Sequence, residues 1–481
     1  MNLIYEKSVP GRRGVRLPKC SVPRKKAQIP KNLLRENPAE LPEVSELDAV
    51  RHYTNLSRLN YSVDNNFYPL GSCTMKYNPK VCEKVTRYDG FGRLHPLLPQ
   101  LRNGGILTQG ALKVLFETER LLAEITGMAE MTLQPMAGAH GELTGVMLIA
   151  AYHRKTGNKK SRILIPDSAH GTNPASAAIA GYSVTSIPSN SQGVMDIEAL
   201  KKELTDDVAG LMLTSPNTLG LFNHDVKEIC DLIHEHDGLV YYDGANLNAI
   251  AGRVRPVDLG FDIVHLNLHK TFGTPHGGGG PGACAVGVVQ KLKKFLPISK
   301  IIKRGDGTFA LDYDVEDSIG YIAPFYGNFG VIVRAYAYLK MLGADGLREV
   351  SNFAVMNANY IRVKLKEYFN LPYDRVCMHE CVFSADKQVV NGVHAIDIAK
   401  GLIDLGVHPP TMYFPLIVKE ALMVEPTETE SKQSIDNFIE AMKKIASIAK
   451  ENPEKLKNAP VTTPVGRLDE VAAARDMKLS Y

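Results

Sequence analysis

From about Gly110 the chain settles into a regular rhythm of apolar and polar positions. Apolar residues recur at helical spacing through LKVLFETERLLAEITG, and six short apolar runs follow: RILIP, SVTSI, GLMLT, LVYYD, FDIVHL and ACAVGVV. Short, continuously apolar runs bounded by polar or glycine-containing segments predict strands buried on both faces. Between them DIEALKKEL and DVKEICDLIHEHD carry the spacing of amphipathic helices. This alternation predicts an α/β fold, a mostly parallel sheet covered by helices.

Beyond about Asn328 the pattern changes. VIVRAYAYLKMLG predicts a long helix, and VCMHECVF and MYFPLIV predict strands, which together suit a smaller α+β domain. At the other end, six prolines fall before residue 43 among scattered Arg and Lys. That stretch is too broken for regular elements and predicts an extended arm that lies on a partner subunit. Pro460 and Pro464 mark a second arm at the C-terminus. The expected division is an arm over 1–60, a large α/β domain over 61–327, a small α+β domain over 328–455 and a C-terminal arm over 456–481.

Composition narrows the class. With 481 residues, 44% hydrophobic and 22% charged, the chain is long enough for more than one core and is neither disordered nor fibrous. Residues 271–290 carry no acid or base, but seven glycines make that stretch a loop, not a membrane span. A net charge of +4, with the basic residues bunched near the N-terminus, gives little support for a nucleic-acid partner. Seven sparse cysteines (Cys20, Cys73, Cys82, Cys230, Cys284, Cys377, Cys381) and a start without the pattern of a targeting signal predict reduced thiols, no structural disulfides and a cytoplasmic enzyme.

The chemistry centres on Lys270. In HLNLHKTFGTPHGGGGPG a lysine follows a buried strand and leads into a glycine loop, a place where it can form a Schiff base. Asp243 ends the strand LVYYD, 27 positions earlier, so both residues are expected at the carboxyl edge of a parallel sheet, where ligands bind. A carboxylate buried there needs a cationic partner, and a protonated pyridine nitrogen is one. His170 follows RILIP in the same way and would stack on a cofactor ring or move a proton. In PMAGAHGE the pair Gly138 and Ala139 leads into a predicted helix whose free N–H groups suit a phosphate. In this order the four features predict a pyridoxal 5'-phosphate site.

Other patterns lose their force in context. Gly277, Gly279 and Gly282 match a dinucleotide fingerprint but precede a strand instead of opening a helix. Cys377, His379 and Cys381 alternate on a predicted strand, but no second ligand cluster follows, so no metal is expected. HEHD at His234–Asp237 lacks the histidine spacing of a zinc protease.

At these residues the sequence resembles the pyridoxal phosphate-dependent glycine dehydrogenases (decarboxylating), the P-proteins of the glycine cleavage system. GSCTMKYNP, PMAGAHGE, DSAHGTNPAS, DGANLNA and HLNLHKTFGTPHGGGGPG carry the resemblance, and general similarity runs from about residue 50 to about residue 450. It implies the aspartate aminotransferase-like fold, fold type I, and places this chain with the lysine-bearing half, whose lysine-free counterpart is a separate subunit. It implies that Lys270 carries pyridoxal 5'-phosphate covalently, with Asp243 and His170 in the roles above. Gly138 and Ala139 then contact the phosphate, Asn267 and His269 help hold it, and Ala245 with Asn217 or Thr218 lines the ring. Tyr326, Gly327 and Asn328 are implied as further phosphate donors. Ser72 and Cys73 fall in a loop near the substrate without a derivable role.

The reaction so implied is loss of carbon dioxide from glycine and transfer of the aminomethyl group to the lipoyl arm of the H-protein, with the lysine-free subunit as a second partner. Two alternatives stay open: an aminotransferase or cysteine desulfurase of the same fold, for which Cys73 is the candidate cysteine, and a non-catalytic scaffold subunit.

Overall fold

The computed structural model describes all residues except 1, 24–27, 96–97, 99–103, 278–279, 281, 325 and 478–481. Gly279 of the set-aside glycine pattern therefore lies outside the described residues. The chain divides into two units, Met1–Asn65 and Asn66–Tyr481.

The first unit ends in regular structure that the proline-rich pattern did not anticipate. A helix spans Glu46–Ser57, capped by Ser45, whose hydroxyl accepts from the Asp48 N–H at 3.1 Å. It begins only after the last proline of the stretch, Pro42, where nothing further interrupts the backbone hydrogen bonds.

The second unit is built on a seven-stranded sheet. Its strands are β1 (Glu130–Thr132), β2 (Arg162–Pro166), β3 (Ser183–Ile187), β4 (Val208–Thr214), β5 (Leu239–Gly244), β6 (Ile263–Asn267) and β7 (Cys284–Val288), in the order β1-β7-β6-β5-β4-β2-β3. The run from β3 to β6 is parallel, and β7 and β1 close the sheet antiparallel. β4, β5 and β6 are buried almost throughout, as continuously apolar runs require. SVTSI is different: expected as a buried strand, it forms the edge strand β3, and its alternating Ser and Thr are largely exposed. The helix Gly138–Thr156 packs Val146 and Ile149 against Ile263 and Val286 on one face, and the helix Val226–Glu235 sends Ile229 and Ile233 into the core on the other. A short hairpin, β8 (Lys300–Lys303) and β9 (Phe309–Asp312), precedes the long helix Phe329–Leu365, which is interrupted at Gly343.

A second, three-stranded antiparallel sheet holds β10 (Cys381–Ser384), β11 (Thr411–Met412) and β12 (Ala421–Val424), ordered β10-β12-β11. Here the expected boundaries need correction. Cys377 and His379 precede the strand and do not share a strand face with Cys381, MYFPLIV contributes only its first residue, Met412, and the buried central strand is ALMV, which no periodicity singled out. Short strands carry too few residues to display a period, so packing alone reveals them. The C-terminal stretch is tied to this region by Arg467, which donates to Asp397 at 2.6 Å and to the Ala459 carbonyl at 2.8 Å. All seven cysteines are free, and among the described residues no helix is long and apolar enough to cross a membrane.

Candidate active site

The parallel run β4-β5-β6 brings strand ends together that lie far apart in sequence. Asp243, at the end of β5, is in register with His265 of β6, and Lys270 follows three residues after β6 ends. Lys270 is only 8% exposed, and its Nζ donates to Asn246 Oδ1 at 3.0 Å. Asp243 is 2% exposed and accepts from the Ala245 N–H at 3.1 Å and Asn173 Nδ2 at 3.2 Å, with His265 Nε2 facing it at 3.5 Å. Burial pushes its carboxyl up, but the His265 and His170 imidazoles, the Ala245 N–H and Lys270 outweigh it and hold Asp243 below its ordinary range. Asp243 is thus a buried carboxylate kept ionised.

His265 was not among the expected residues. Its Nδ1 is hydrogen-bonded to the Tyr241 hydroxyl, and its Nε2 faces the Asp243 carboxylate without a hydrogen-bond partner among the described residues. Two positions before Asn267 on one strand, it lies on the same sheet face as a predicted ligand, and that period is the signal available in sequence.

His170 lies beyond β2 in the same region. Its Nε2 is 2.6 Å from Ser72 Oγ, and its ring stacks on Phe414 at 4.7 Å with 26° between planes. Burial, helped by Lys270 and opposed by Asp243, lowers its pKa, which favours the neutral imidazole. The loop of Ser72 and Cys73 therefore does reach the site. Cys73 is partly buried, and burial pushes its thiol up.

The phosphate candidates assemble around one helix start. Gly138 opens the helix Gly138–Thr156, which has no side-chain cap, so the N–H groups of Gly138 and Ala139 are available there. A Cβ on Gly138 would stand 2.7 Å from Asn267 Nδ2, so only glycine admits that approach, and the buried Asn267 Oδ1 has no partner among the described residues. His269 Nδ1 is 3.1 Å from the Ala283 carbonyl, and burial, His276 and Lys270 bring its pKa down to about 4. Gly327 has φ 70°, and a Cβ there would stand 2.0 Å from the Leu133 carbonyl oxygen. Asn328 spends its amide N–H groups on the carbonyls of Gly282 and Met136, and the Tyr326 hydroxyl meets that of Tyr313 at 3.3 Å.

Two ring-lining candidates separate. Thr218, buried, donates to the Ser168 carbonyl at 2.5 Å, beside the segment leading to His170. Asn217 instead folds into its own turn, donating to the Gly193 carbonyl at 2.6 Å and accepting from the Leu219 and Leu221 N–H groups. Ala245 is buried with its N–H on Asp243.

A layer of buried carboxyl groups completes the site and was not foreseen. Glu142, in the helix after Gly138, is pushed up to about 8 by burial and by Asp243. Glu425 accepts from the Thr74 hydroxyl at 2.5 Å and from Asn248 at 2.8 Å, and burial raises it to about 7. Glu380, which accepts from the Ser72 N–H at 2.8 Å, is raised well above its ordinary value by burial and by Glu425. His379, Glu380 and Glu425 bring ligand atoms within 4.8 Å of one another, so His379 groups with these carboxyls and not with Cys377 and Cys381. Both Glu425 oxygens are already engaged by Thr74 and its neighbours.

Taken together, a buried amine, an ionised carboxylate, a flat neutral imidazole and an uncapped helix start with free N–H groups fit the amine-reactive carbon, ring nitrogen, ring face and phosphate of pyridoxal phosphate.

Comparison with known proteins agrees. Residues 24–306 match the family described as glycine cleavage system P-protein, and residues 350–462 match the glycine dehydrogenase C-terminal domain. The chain is 55% identical over 484 residues to the probable glycine dehydrogenase (decarboxylating) subunit 2 of Listeria monocytogenes, covering 100% of this chain and 98% of the relative. It is 56% identical over 478 residues to the protein of the same description from Caldanaerobacter subterraneus, covering 99% and 97%. In fold it is similar to an inhibitor-bound glycine decarboxylase (P-protein) of the glycine cleavage system, with TM-score 0.71, 20% identity and coverage of 87% of this chain and 93% of that one.

Proposed function

The chain belongs to the glycine cleavage system P-protein family, and from that premise we propose how its residues carry out the family's reaction, the decarboxylation of glycine. Pyridoxal 5'-phosphate, when bound, supplies an electron sink for the charge left behind as carbon dioxide departs. Lys270 Nζ would hold the cofactor covalently, its amine buried beside Asn246. Asp243, ionised and backed by His265, keeps the ring nitrogen protonated. His170 offers its imidazole face to the ring while Phe414 covers the other side. The N–H groups of Gly138 and Ala139 hold the phosphate, with Asn267 and His269 beside them. The aminomethyl group passes to the lipoyl arm of the H-protein, and a lysine-free subunit 1 completes the enzyme. Seven free cysteines suit a cytoplasmic location.

The observation that carries this reading is the pairing of buried Lys270 with a buried carboxylate held ionised at the ends of adjacent parallel strands. The desulfurase alternative loses support at Cys73, because burial disfavours the thiolate that such chemistry needs. The test is exchange of labelled bicarbonate into the carboxyl group of glycine, with lipoylated H-protein, for this chain alone and mixed with subunit 1. Exchange in the mixture is expected. Its absence from a mixture whose lysine-bound cofactor absorbance is intact would return the substrate to the aminotransferase alternative.

A further inference from the structure

The loop Gly71–Thr74 carries two residues with side chains in left-handed backbone conformations, Ser72 at φ 67° and Thr74 at φ 46°. Such conformations persist where the surroundings over-determine them, and they gather at functional sites. Here each is clamped by a buried glutamate. Glu380 Oε2 accepts the Ser72 N–H at 2.8 Å, and Glu425 accepts the Thr74 N–H at 3.1 Å and its hydroxyl at 2.5 Å. Asn246, which accepts from Lys270, donates to Thr74 Oγ1 at 2.8 Å, so the clamp is continuous with the lysine.

What the clamped loop presents is one contact, Ser72 Oγ on His170 Nε2 at 2.6 Å. Phe414 stacks on one face of the same ring. His170 is thereby fixed at one edge and in its plane, by residues from two distant parts of the chain. We propose that Ser72, Glu380 and Phe414 are positioning residues for His170: Glu380 holds Ser72 in its left-handed turn, Ser72 anchors the Nε2 edge of the ring by a hydrogen bond, and Phe414 sets the plane against which a flat cofactor stacks. This rests on the assignment of His170 as the ring-stacking group. A carboxyl at Glu380 held protonated by burial acts on Ser72 as an acceptor only, which an amide can reproduce.

The test uses the full chain labelled with ¹⁵N-histidine and free of cofactor, the His170 resonances being identified by their loss in His170→Asn. Ser72→Ala and Glu380→Ala should shift the His170 Nε2 resonance, and Glu380→Gln should restore it. Ser72→Gly, which relieves the left-handed strain but also lacks the hydroxyl, should shift it as Ser72→Ala does and covers the case of a poorly folded alanine variant. In the assembled enzyme, Ser72→Ala should lower kcat about tenfold, the size of one lost hydrogen bond, with KM for glycine and Tm little changed. An unmoved resonance in both Ser72 variants would overturn the proposal, as would a moved resonance with unchanged kcat. Absence of glycine decarboxylation in the parent enzyme would strike the functional reading instead, and the resonance would still decide the Ser72–His170 contact.

Discussion

Two sets of buried carboxyl groups sense the charge of Lys270, and burial ends differently in each. Asp243, at the edge of the large sheet, faces two imidazoles, a backbone N–H and the lysine, and stays below its ordinary value of 3.8. Glu380 and Glu425, just before β10 and just after β12, are equally buried but lie close to each other, and both are raised. Burial pushes all three the same way; the two imidazoles beside Asp243 outweigh it, whereas the glutamates stand beside other carboxyls and their donors do not outweigh it. One region stores a negative charge suited to a cationic ring nitrogen. The other stores protons and serves as scaffold, gripping the loop of Ser72 and Thr74.

Removing the shared cation breaks the comparison most completely. Lys270→Ala should abolish the visible absorbance of lysine-bound pyridoxal phosphate and any borohydride-trapped adduct; a trapped adduct on the variant, found by peptide mass spectrometry, would refute the assignment.

Removing one charge while keeping its shape comes next. Asp243→Asn should lower kcat by about 10- to 100-fold, the range of a lost charge-assisted hydrogen bond, with a smaller change in cofactor affinity. Near-parental turnover would take Asp243 out of its role.

The smallest effect concerns stability against pH, where the two regions should show opposite signs. Asp243 has a depressed pKa, so its contribution is present above 3.8 and is lost as pH falls through the still lower folded value. Glu425 is raised from 4.5 to about 7, so the native state binds the extra proton, and this group costs stability as pH rises across that interval. Glu425→Gln should therefore gain in Tm relative to the parent as pH increases through that window. A Tm difference that stays flat would show that Glu425 does not titrate there.

Much of the large domain was legible because its information is local. Continuous apolar runs mark β4, β5 and β6, and the position of Asp243, His170 and Lys270 just after such runs places them at one sheet edge. The same logic misjudged SVTSI, whose sequence does not say that it has a neighbour on one side only. It also left open the choice between Asn217 and Thr218, and it could not show that the Asn217 amide is engaged by the Gly193 carbonyl and the Leu219 N–H. β10 and β12 were blurred or missed because four residues hold barely two periods of alternation.

The sequence by itself determined the α/β alternation, the chain order of helix start, histidine, aspartate and lysine, and the family to which these belong. Tertiary structure alone decided which carboxyls are charged, which face of His170 is covered, and why Ser72 matters. The contacts responsible join Ser72 to Glu380 and Thr74 to Glu425 across 308 and 351 positions. Periodicity reports what a residue needs from its near neighbours along the chain. A pKa or a clamped loop depends on neighbours in space, and those exist only once the two sheets have formed.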